Sequence, residues 1–413
     1  MGDNSMNDSG KEILLVAPFT ILPGEKGFSR FTYIANKLTE IGHHVTLLTS
    51  SFQHNDKAFR KSHYIVAISN KLKYKLEIIP ELGYSKNIGV DRIRSHRYFA
   101  KQLSYYLKNI EKKPDVIYCA YPMMGSAYEV GRYAKQHQIP FIIDIQDIWP
   151  ESIKNTLKFP DPITDSLLYP MTWYANRIYK LADYVVGVSD SYVQRVQKVN
   201  HHAKRFSSVY IGTDLGYFDS FNHRIDKKSD EFWITYVGTL SYSYDIETVI
   251  KAISQLNKKG FKNVVFKVLG DGPLKSRFVK LANETGAQVD FMGYVPYEKM
   301  IPILANSDLA ANAISKGAQQ SITNKIGDYL ASGLPVLNSS ENSEFKQMVE
   351  GRKLGYSYNP GDVEQLIKLI ERLYNNGDLR KLCGRNARKL AEEKFDRRIS
   401  YESIYSVVKE ASL

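Results

Sequence analysis

Short apolar runs alternate along this chain with longer stretches in which apolar positions recur every three or four residues. In the first half the runs fall at 13–18, 44–48, 116–119, 141–145, 184–188 and 208–211, and in the second at 233–237, 264–269, 289–292, 309–313 and 335–337. Continuous apolar runs of this length read as strands covered on both faces. Helical periodicity marks 28–41, 127–137, 171–181, 246–258, 274–285 and 298–305. Strand and helix in alternation predict parallel α/β sheets. Residues 213–231 are polar and charged without a period, which predicts a linker, and beyond residue 360 the pattern is helical only. The expectation is therefore two Rossmann-like doubly wound domains, 1–215 and 216–395, facing across a cleft. Ligands of such sheets bind beyond the C-terminal strand ends, so chemistry is expected in the loops that follow strands.

Composition narrows the function classes. A chain of 413 residues can bury two cores, and 43% hydrophobic with 24% charged residues is ordinary globular usage. Cys119 and Cys383 lack metal-ligand spacing, which argues for a reducing compartment and against a disulfide framework or a zinc site. No apolar run reaches the length of a membrane span and the first eleven residues are polar, so no signal peptide is expected and the protein is expected to be cytoplasmic. The net charge of +12 is concentrated between 84 and 113, where Lys86, Arg92, Arg94, Arg97, Lys101, Lys108, Lys112 and Lys113 face only Asp91 and Glu111. Tyr98, Phe99, Tyr105 and Tyr106 are interleaved with them. Such a helix can lie on an anionic membrane surface, or it can be a surface helix whose aromatics face the core. A second basic-aromatic stretch at 57–75 favours the membrane. No nucleic-acid-binding signature is present, and the nine histidines are scattered without metal or triad spacing.

Several strand-end loops carry candidate chemistry. The loop 18–30 contains Gly24 and Gly27, which let backbone approach a ligand, and leads into a helix start that favours phosphate or sugar oxygens. The loop 144–151 presents Asp144, Asp147, Trp149 and Glu151: an indole to stack on a sugar ring, and carboxylates to bond hydroxyls or handle a proton. As an alternative, Asp144 caps the turn and Trp149 packs on the sheet. Gly238, Gly270, Gly272 and Gly293 keep side chains away from one edge in the second half. The segment 320–336 reads as a helix with Thr323 or Ser321 as cap, a stop at Gly333, and Lys325 in the first turn, where a cation opposes the helix dipole. A bound diphosphate would repair that misfit. Asp328, one turn from Asn324, could accept from both hydroxyls of a ribose. The plainer reading is an exposed helix with a Lys325–Asp328 pair worth a few tenths, roughly, of a kcal/mol.

In order along the chain, Ser29-Arg30, Ile41-Gly-His-His-Val-Thr46, Asp147-Ile-Trp-Pro-Glu-Ser152, Ala182-Asp-Tyr-Val-Val-Gly-Val-Ser189 and Gly212-Thr-Asp214 are followed by Gly238-Thr-Leu240, Gly270-Asp-Gly-Pro273, Phe291-Met-Gly293 and Asn324-Lys-Ile-Gly-Asp-Tyr-Leu-Ala-Ser-Gly-Leu-Pro-Val336. The chain resembles, over nearly its whole length, the bacterial family-4 glycosyltransferases of the GT-B fold that build capsule, O-antigen and exopolysaccharide repeat units. The resemblance implies a metal-independent, cofactor-free, retaining transfer from a nucleotide-diphosphate sugar, most simply a UDP-sugar, to a lipid-linked saccharide acceptor. The enzyme would sit peripherally on the inner face of the plasma membrane. It implies donor contacts from Gly27, Gly238, Thr239, Gly272, Gly293, Gln320, Asn324, Lys325 and Asp328, acceptor contacts from Arg30, Trp149 and Glu151, and Asp147 at the reacting centre. The helix 396–413 would return to the first domain. Two departures stand out. Gln320 and Asp328 replace a pair of glutamates, and Thr239 and Tyr244 occupy positions where many members place Arg and Lys. Lys325, helped by Lys316 and Arg30, would then form the cationic grip. Other readings are a nucleotide-sugar epimerase of the same fold, a non-catalytic anionic-surface binding protein, and a nicotinamide oxidoreductase, the last lacking the three-glycine fingerprint.

Overall fold

The computed structural model describes residues 10–87, 89–154, 160–318 and 322–413. The chain divides into two compact units, Met1–Val209 with Tyr401–Leu413, and Tyr210–Ser400.

The first unit is built on a parallel sheet of β1 (Glu12–Val16), β2 (His44–Ser50), β5 (Lys75–Ile79), β6 (Val116–Tyr121), β7 (Phe141–Ile145), β8 (Tyr184–Gly187) and β9 (Arg205–Ser208), in the order β5-β2-β1-β6-β7-β8-β9. A two-stranded hairpin, β3 (Phe52–Gln53) with β4 (Ala58–Phe59), follows β2. Residues 13–16 of β1 and all of β6 and β7 are buried, as expected for strands sheltered on both faces. Helix Arg30–Glu40 begins at Ser29, whose hydroxyl accepts from the Thr32 N–H, and buries Phe31, Ile34, Ala35 and Leu38 at helical spacing. Helix Val90–Lys108 buries Phe99, Leu103 and Leu107, while its Tyr105 points outward. Helix Glu402–Ala411 joins this core through Ile404, Tyr405, Val407 and Val408.

The second unit has a six-stranded parallel sheet, β12 (Val289–Gly293), β11 (Val264–Leu269), β10 (Phe232–Val237), β13 (Leu309–Asn312), β14 (Val336–Asn338) and β15 (Gly355–Ser357), in that spatial order. Helix Ile246–Lys258 is capped by Asp245, which accepts from the Thr248 N–H, and packs Ile246, Val249, Ile250 and Ile253 on the sheet.

Four sequence readings shift. β5 and β15 were not expected: one is an edge strand that begins at Lys75, where the 57–75 stretch ends, and carries Lys75 and Glu77, the other is too short for a periodic signal. β9 ends at Ser208 instead of starting there. The helix expected at 171–181 spans Asp161–Tyr179. The stretch 213–231 contains helix Leu215–Phe221, capped by Asp214, which accepts from the Tyr217 N–H and buries Leu215 and Phe218.

Candidate functional site

In the second unit the strand order reverses between β10, which pairs with β11, and β13. A sheet of this kind opens its ligand crevice at that reversal, beyond the C-terminal strand ends. The segment after β13 leads there into helix Asn324–Ala331, with Thr323 as N-cap. The Thr323 side chain makes no cap hydrogen bond, and its Oγ1 is buried without a partner among the described residues. Two residues on, Lys325 is 7% exposed and its Nζ is also buried without a hydrogen-bond partner among those residues. The ammonium lies 4.4 Å from the ring centre of Tyr236 and 4.1 Å from that of Tyr244, an aromatic cage built from the end of β10 and the loop beyond it. Burial pushes the amine down to about 7. Within the first turn of this helix, a hydroxyl and an amine thus lack partners among the described residues, beside the free N–H groups that favour an anion.

The surrounding glycines are required by close approach. A Cβ on Gly270 would lie 1.8 Å from the Gly238 carbonyl oxygen, and one on Gly238 would lie 3.6 Å from Lys325 Nζ. A Cβ on Gly272 would lie 2.4 Å from the Leu240 oxygen, so the loops after β10 and β11 are pressed together. Thr239 is exposed, and its carbonyl accepts from the Tyr236 hydroxyl at 2.9 Å. Gly293 closes β12. Asn324 is exposed at the helix start, and Lys316 is exposed in the loop after β13. Gln320 and Ser321 lie outside the described residues.

Asp328 sits one turn into the helix and is buried. Its Oδ1 accepts from the hydroxyls of Thr213 and Tyr297, each at 2.7 Å. Burial raises its pKa, and Tyr297, Thr213 and Arg397 pull the other way. It makes no pair with Lys325; the amine is turned to the tyrosines instead.

The first unit reverses between β1 and β6. Gly27 lies in the loop after β1 with φ of +108°, a left-handed conformation that favours glycine. Arg30 is buried: its Nε donates to Asp144 Oδ2 at 2.8 Å and its Nη1 to the Val209 carbonyl at 2.9 Å, and it stacks 4.9 Å from the Tyr401 ring. Asp144 also accepts from the Tyr118 hydroxyl at 2.6 Å and from Gln146 Nε2 at 2.6 Å. Arg30, counted from sequence with the cationic grip and the acceptor contacts, is thus a core ion pair, and Asp144 is its partner and no turn cap. Asp147 is half-buried, its carboxylate accepting from the Ile148 N–H at 2.9 Å, Trp149 Nε1 at 3.0 Å, the Tyr192 hydroxyl at 3.3 Å and the Ser152 hydroxyl. It organises the loop that presents the Trp149 ring. Glu151 is engaged by Arg195, which also donates to Asn176 at 2.8 Å.

Sequence reasoning missed the tyrosine cage, because Tyr236 sits inside a strand and Tyr244 seven residues beyond it. It also missed Thr213 and Tyr297 as the partners of Asp328, since those contacts span 115 and 31 residues. Among the described residues no group of three or more His, Cys, Asp or Glu is placed to hold a metal ion, and no helix is long and apolar enough to cross a membrane.

Comparison with known families follows the same division. The pattern of Glycosyltransferase Family 4 matches residues 29–217, and that of Glycosyl transferases group 1 matches residues 218–390. The chain belongs to the family-4 glycosyltransferases. An uncharacterised glycosyltransferase of Methanocaldococcus jannaschii is 27% identical over 225 residues, 53% of this chain; the match spans 56% of that relative's length. A capsular polysaccharide biosynthesis glycosyltransferase of Staphylococcus aureus is 22% identical over 314 residues, covering 72% of this chain and 77% of that protein. Among solved structures, an Anabaena protein in complex with UDP aligns with TM-score 0.67 at 15% identity over 97% of this chain and 100% of that one. The Anabaena protein has also been solved with UDP-glucose. At that identity the likeness speaks for the fold, two Rossmann-like units of the GT-B type.

Proposed function

We propose that this family-4 glycosyltransferase moves a sugar from a nucleotide-diphosphate sugar, with UDP as the nucleotide, to a lipid-linked saccharide in surface-polysaccharide synthesis. The observation that carries the reading is the buried Lys325 amine at the start of helix Asn324–Ala331, which has no hydrogen-bond partner among the described residues. The UDP complexes of the Anabaena protein support the nucleotide, and the Staphylococcus aureus relative supports the polysaccharide role.

In this reading the helix N–H groups and Lys325 receive the diphosphate, while Gly238, Thr239 and Gly272 let it approach the loops beyond β10 and β11. As the anomeric C–O bond breaks, negative charge grows on the departing phosphate, and a cation in a water-poor cage stabilises it more than one in water would. An amine whose pKa is pushed to about 7 is poised to gain its full proton as the dianion arrives. Asn324 and Asp328 serve the ribose, Gly293 lies by the base edge, and Gln320 reaches the sugar. Trp149 offers its face to the acceptor sugar and Asp147 orients the acceptor hydroxyl, whose proton leaves with the phosphate oxygen on the same face, retaining the anomeric configuration. The basic helix Val90–Lys108 holds the enzyme peripherally at the inner membrane face, its Tyr105 outward.

Thermal unfolding with UDP, GDP and dTDP tests the donor site. A nucleotide at about 100 times its dissociation constant adds roughly 2.7 kcal/mol. One diphosphate is expected to raise the midpoint in the wild type and not in Lys325→Ala; no shift with any of them refutes the reading.

A further inference from the structure

Two other cations with buried side chains lie against carboxylates: Arg30 pairs with Asp144 at 2.8 Å, and Arg60 with Glu25 at 2.7 Å. Lys325 is buried to a similar depth, yet among the described residues its amine has neither an ion pair nor a hydrogen bond. Two acids on the elements around it are engaged elsewhere. Asp328, on the same helix, accepts from Thr213 and Tyr297, and Asp245, beyond β10, accepts from the Thr248 hydroxyl and the Gly361 N–H, each at 2.8 Å.

The amine meets two rings instead, with centres 4.4 Å away for Tyr236 and 4.1 Å away for Tyr244. Both rings are held in place by the fold. Tyr236 is fully buried in β10, and its hydroxyl donates to the Thr239 carbonyl at 2.9 Å. Tyr244 packs edge-on against it, the centres 5.7 Å apart and the planes at 68°. The loop that carries Tyr244 is tied along its length. The Tyr244 N–H donates to the Ser241 carbonyl at 3.1 Å, the Asp245 N–H to that of Ala313 at 3.2 Å, and the Ser315 N–H to that of Ser243 at 3.0 Å. The segments after β10 and β13 thus brace each other around the cage.

Holding a buried ammonium with rings differs chemically from holding it with an acid. A carboxylate at this point would cancel the charge and repel an incoming phosphate. A ring face attracts the cation through its quadrupole, carries no net charge and occupies none of the three N–H donors. We infer that Tyr236 and Tyr244 are positioning residues for the donor: they stand in for a counter-ion, fixing the Lys325 ammonium while leaving its charge and its N–H groups for the diphosphate. The inference rests on the donor reading of Lys325 and adds the residues that keep that cation in place.

Titration calorimetry with UDP tests it, on protein in which Tyr244 is replaced by Phe and by 4-fluoro-, 3,5-difluoro- and 3,4,5-trifluorophenylalanine. These side chains keep the shape of the ring while fluorine drains the negative charge from its face. Tyr244→Phe should bind UDP within about twofold of the wild type, and affinity should then fall stepwise to about tenfold weaker at three fluorines. Tyr244→Leu, with an unchanged unfolding midpoint, should bind no better than the trifluoro protein. In the Lys325→Met background the series should be flat, because the amine that reads the ring is gone. A flat series with Lys325 present, the same decline in Lys325→Met, or Tyr244→Leu equal to Tyr244→Phe would each overturn the inference and leave the donor reading standing. If UDP, GDP and dTDP all fail to bind the wild type, the donor reading falls instead. The hold of the ring on the cation is then followed by NMR at the Lys325 ε-carbon: a titration that moves to lower pH with each fluorine upholds it, and one that stays fixed overturns it.

Discussion

Arg30 and Lys325 are both cations at the start of a helix that follows a strand end, one in each unit, yet they have opposite surroundings. Arg30 is 4% exposed and ion-paired: its Nε bonds Asp144, its Nη1 bonds the Val209 carbonyl, and the guanidinium stacks on Tyr401. Lys325 is 7% exposed and faces two aromatic rings, with no hydrogen bond to its amine among the described residues. Burial alone does not separate structure from binding; the inventory of partners does. A satisfied buried charge is fixed to its own fold, whereas an unsatisfied one carries a desolvation penalty that a ligand can relieve.

Four experiments press on that contrast. The largest effect is expected from Asp144→Ala, which strands the Arg30 guanidinium in the core and should cost about 3–5 kcal/mol in denaturant unfolding. Pairing it with Arg30→Met should recover much of the loss, because an apolar pair carries no stranded charge. Lys325→Met should reverse the pattern: folding stability is maintained or raised, while affinity for the nucleoside diphosphate falls by about 10–100-fold in calorimetry. A loss of stability comparable to that of Asp144→Ala would place Lys325 with Arg30 after all. Gly327→Ala disturbs the seat of the helix without touching the amine. Its Cβ would lie 2.6 Å from Thr213 Oγ1 and 3.0 Å from the Gly212 carbonyl carbon, so a cost of about 1–3 kcal/mol is expected.

The smallest effect is in pH dependence. With the folded Lys325 near 7 and the unfolded value at 10.5, the unfolded chain holds more protons between those limits, so this residue makes stability rise with pH. Below pH 7 both states are protonated and the burial penalty is present in full. The slope, at most about 1.4 kcal/mol per pH unit, should appear in unfolding midpoints between pH 7 and 9 and be absent from Lys325→Met. Identical slopes in the two proteins would show that the amine is not held in the low-pKa state.

The parts of this molecule legible in the sequence are those governed by local period. Strands such as Phe141–Ile145 and Val264–Leu269 coincide with their apolar runs, and helix Ile246–Lys258 with its period, because burial on two faces or on one stripe writes itself directly into the order of residues. Edge strand β5 carries two charged residues, Lys75 and Glu77, and β15 has three residues, so neither leaves a comparable trace. At the sites, Lys325 was readable because a cation in a first turn conflicts with the helix dipole whatever surrounds it. Its tyrosine cage, the Thr213–Asp328–Tyr297 contacts and the Arg30–Asp144 pair were not, because each joins residues that only the sheet order brings together. His54 and His96 make the same point: distant in sequence, both pack against the rings of Phe19 and Tyr84.

The return of residues 401–413 to the first unit affects how the chain is made. Tyr401, Ile404, Val407 and Val408 belong to the same buried cluster as β1 and β2, so the second unit is in effect an insertion within the first. On the ribosome, the first unit emerges early with part of its apolar surface uncovered and cannot close until the whole of the second has been translated. The contiguous second unit faces no such delay. Vectorial synthesis would then invert the usual order, in which the leading domain folds first, and the early-emerging half would be the one that calls on chaperones.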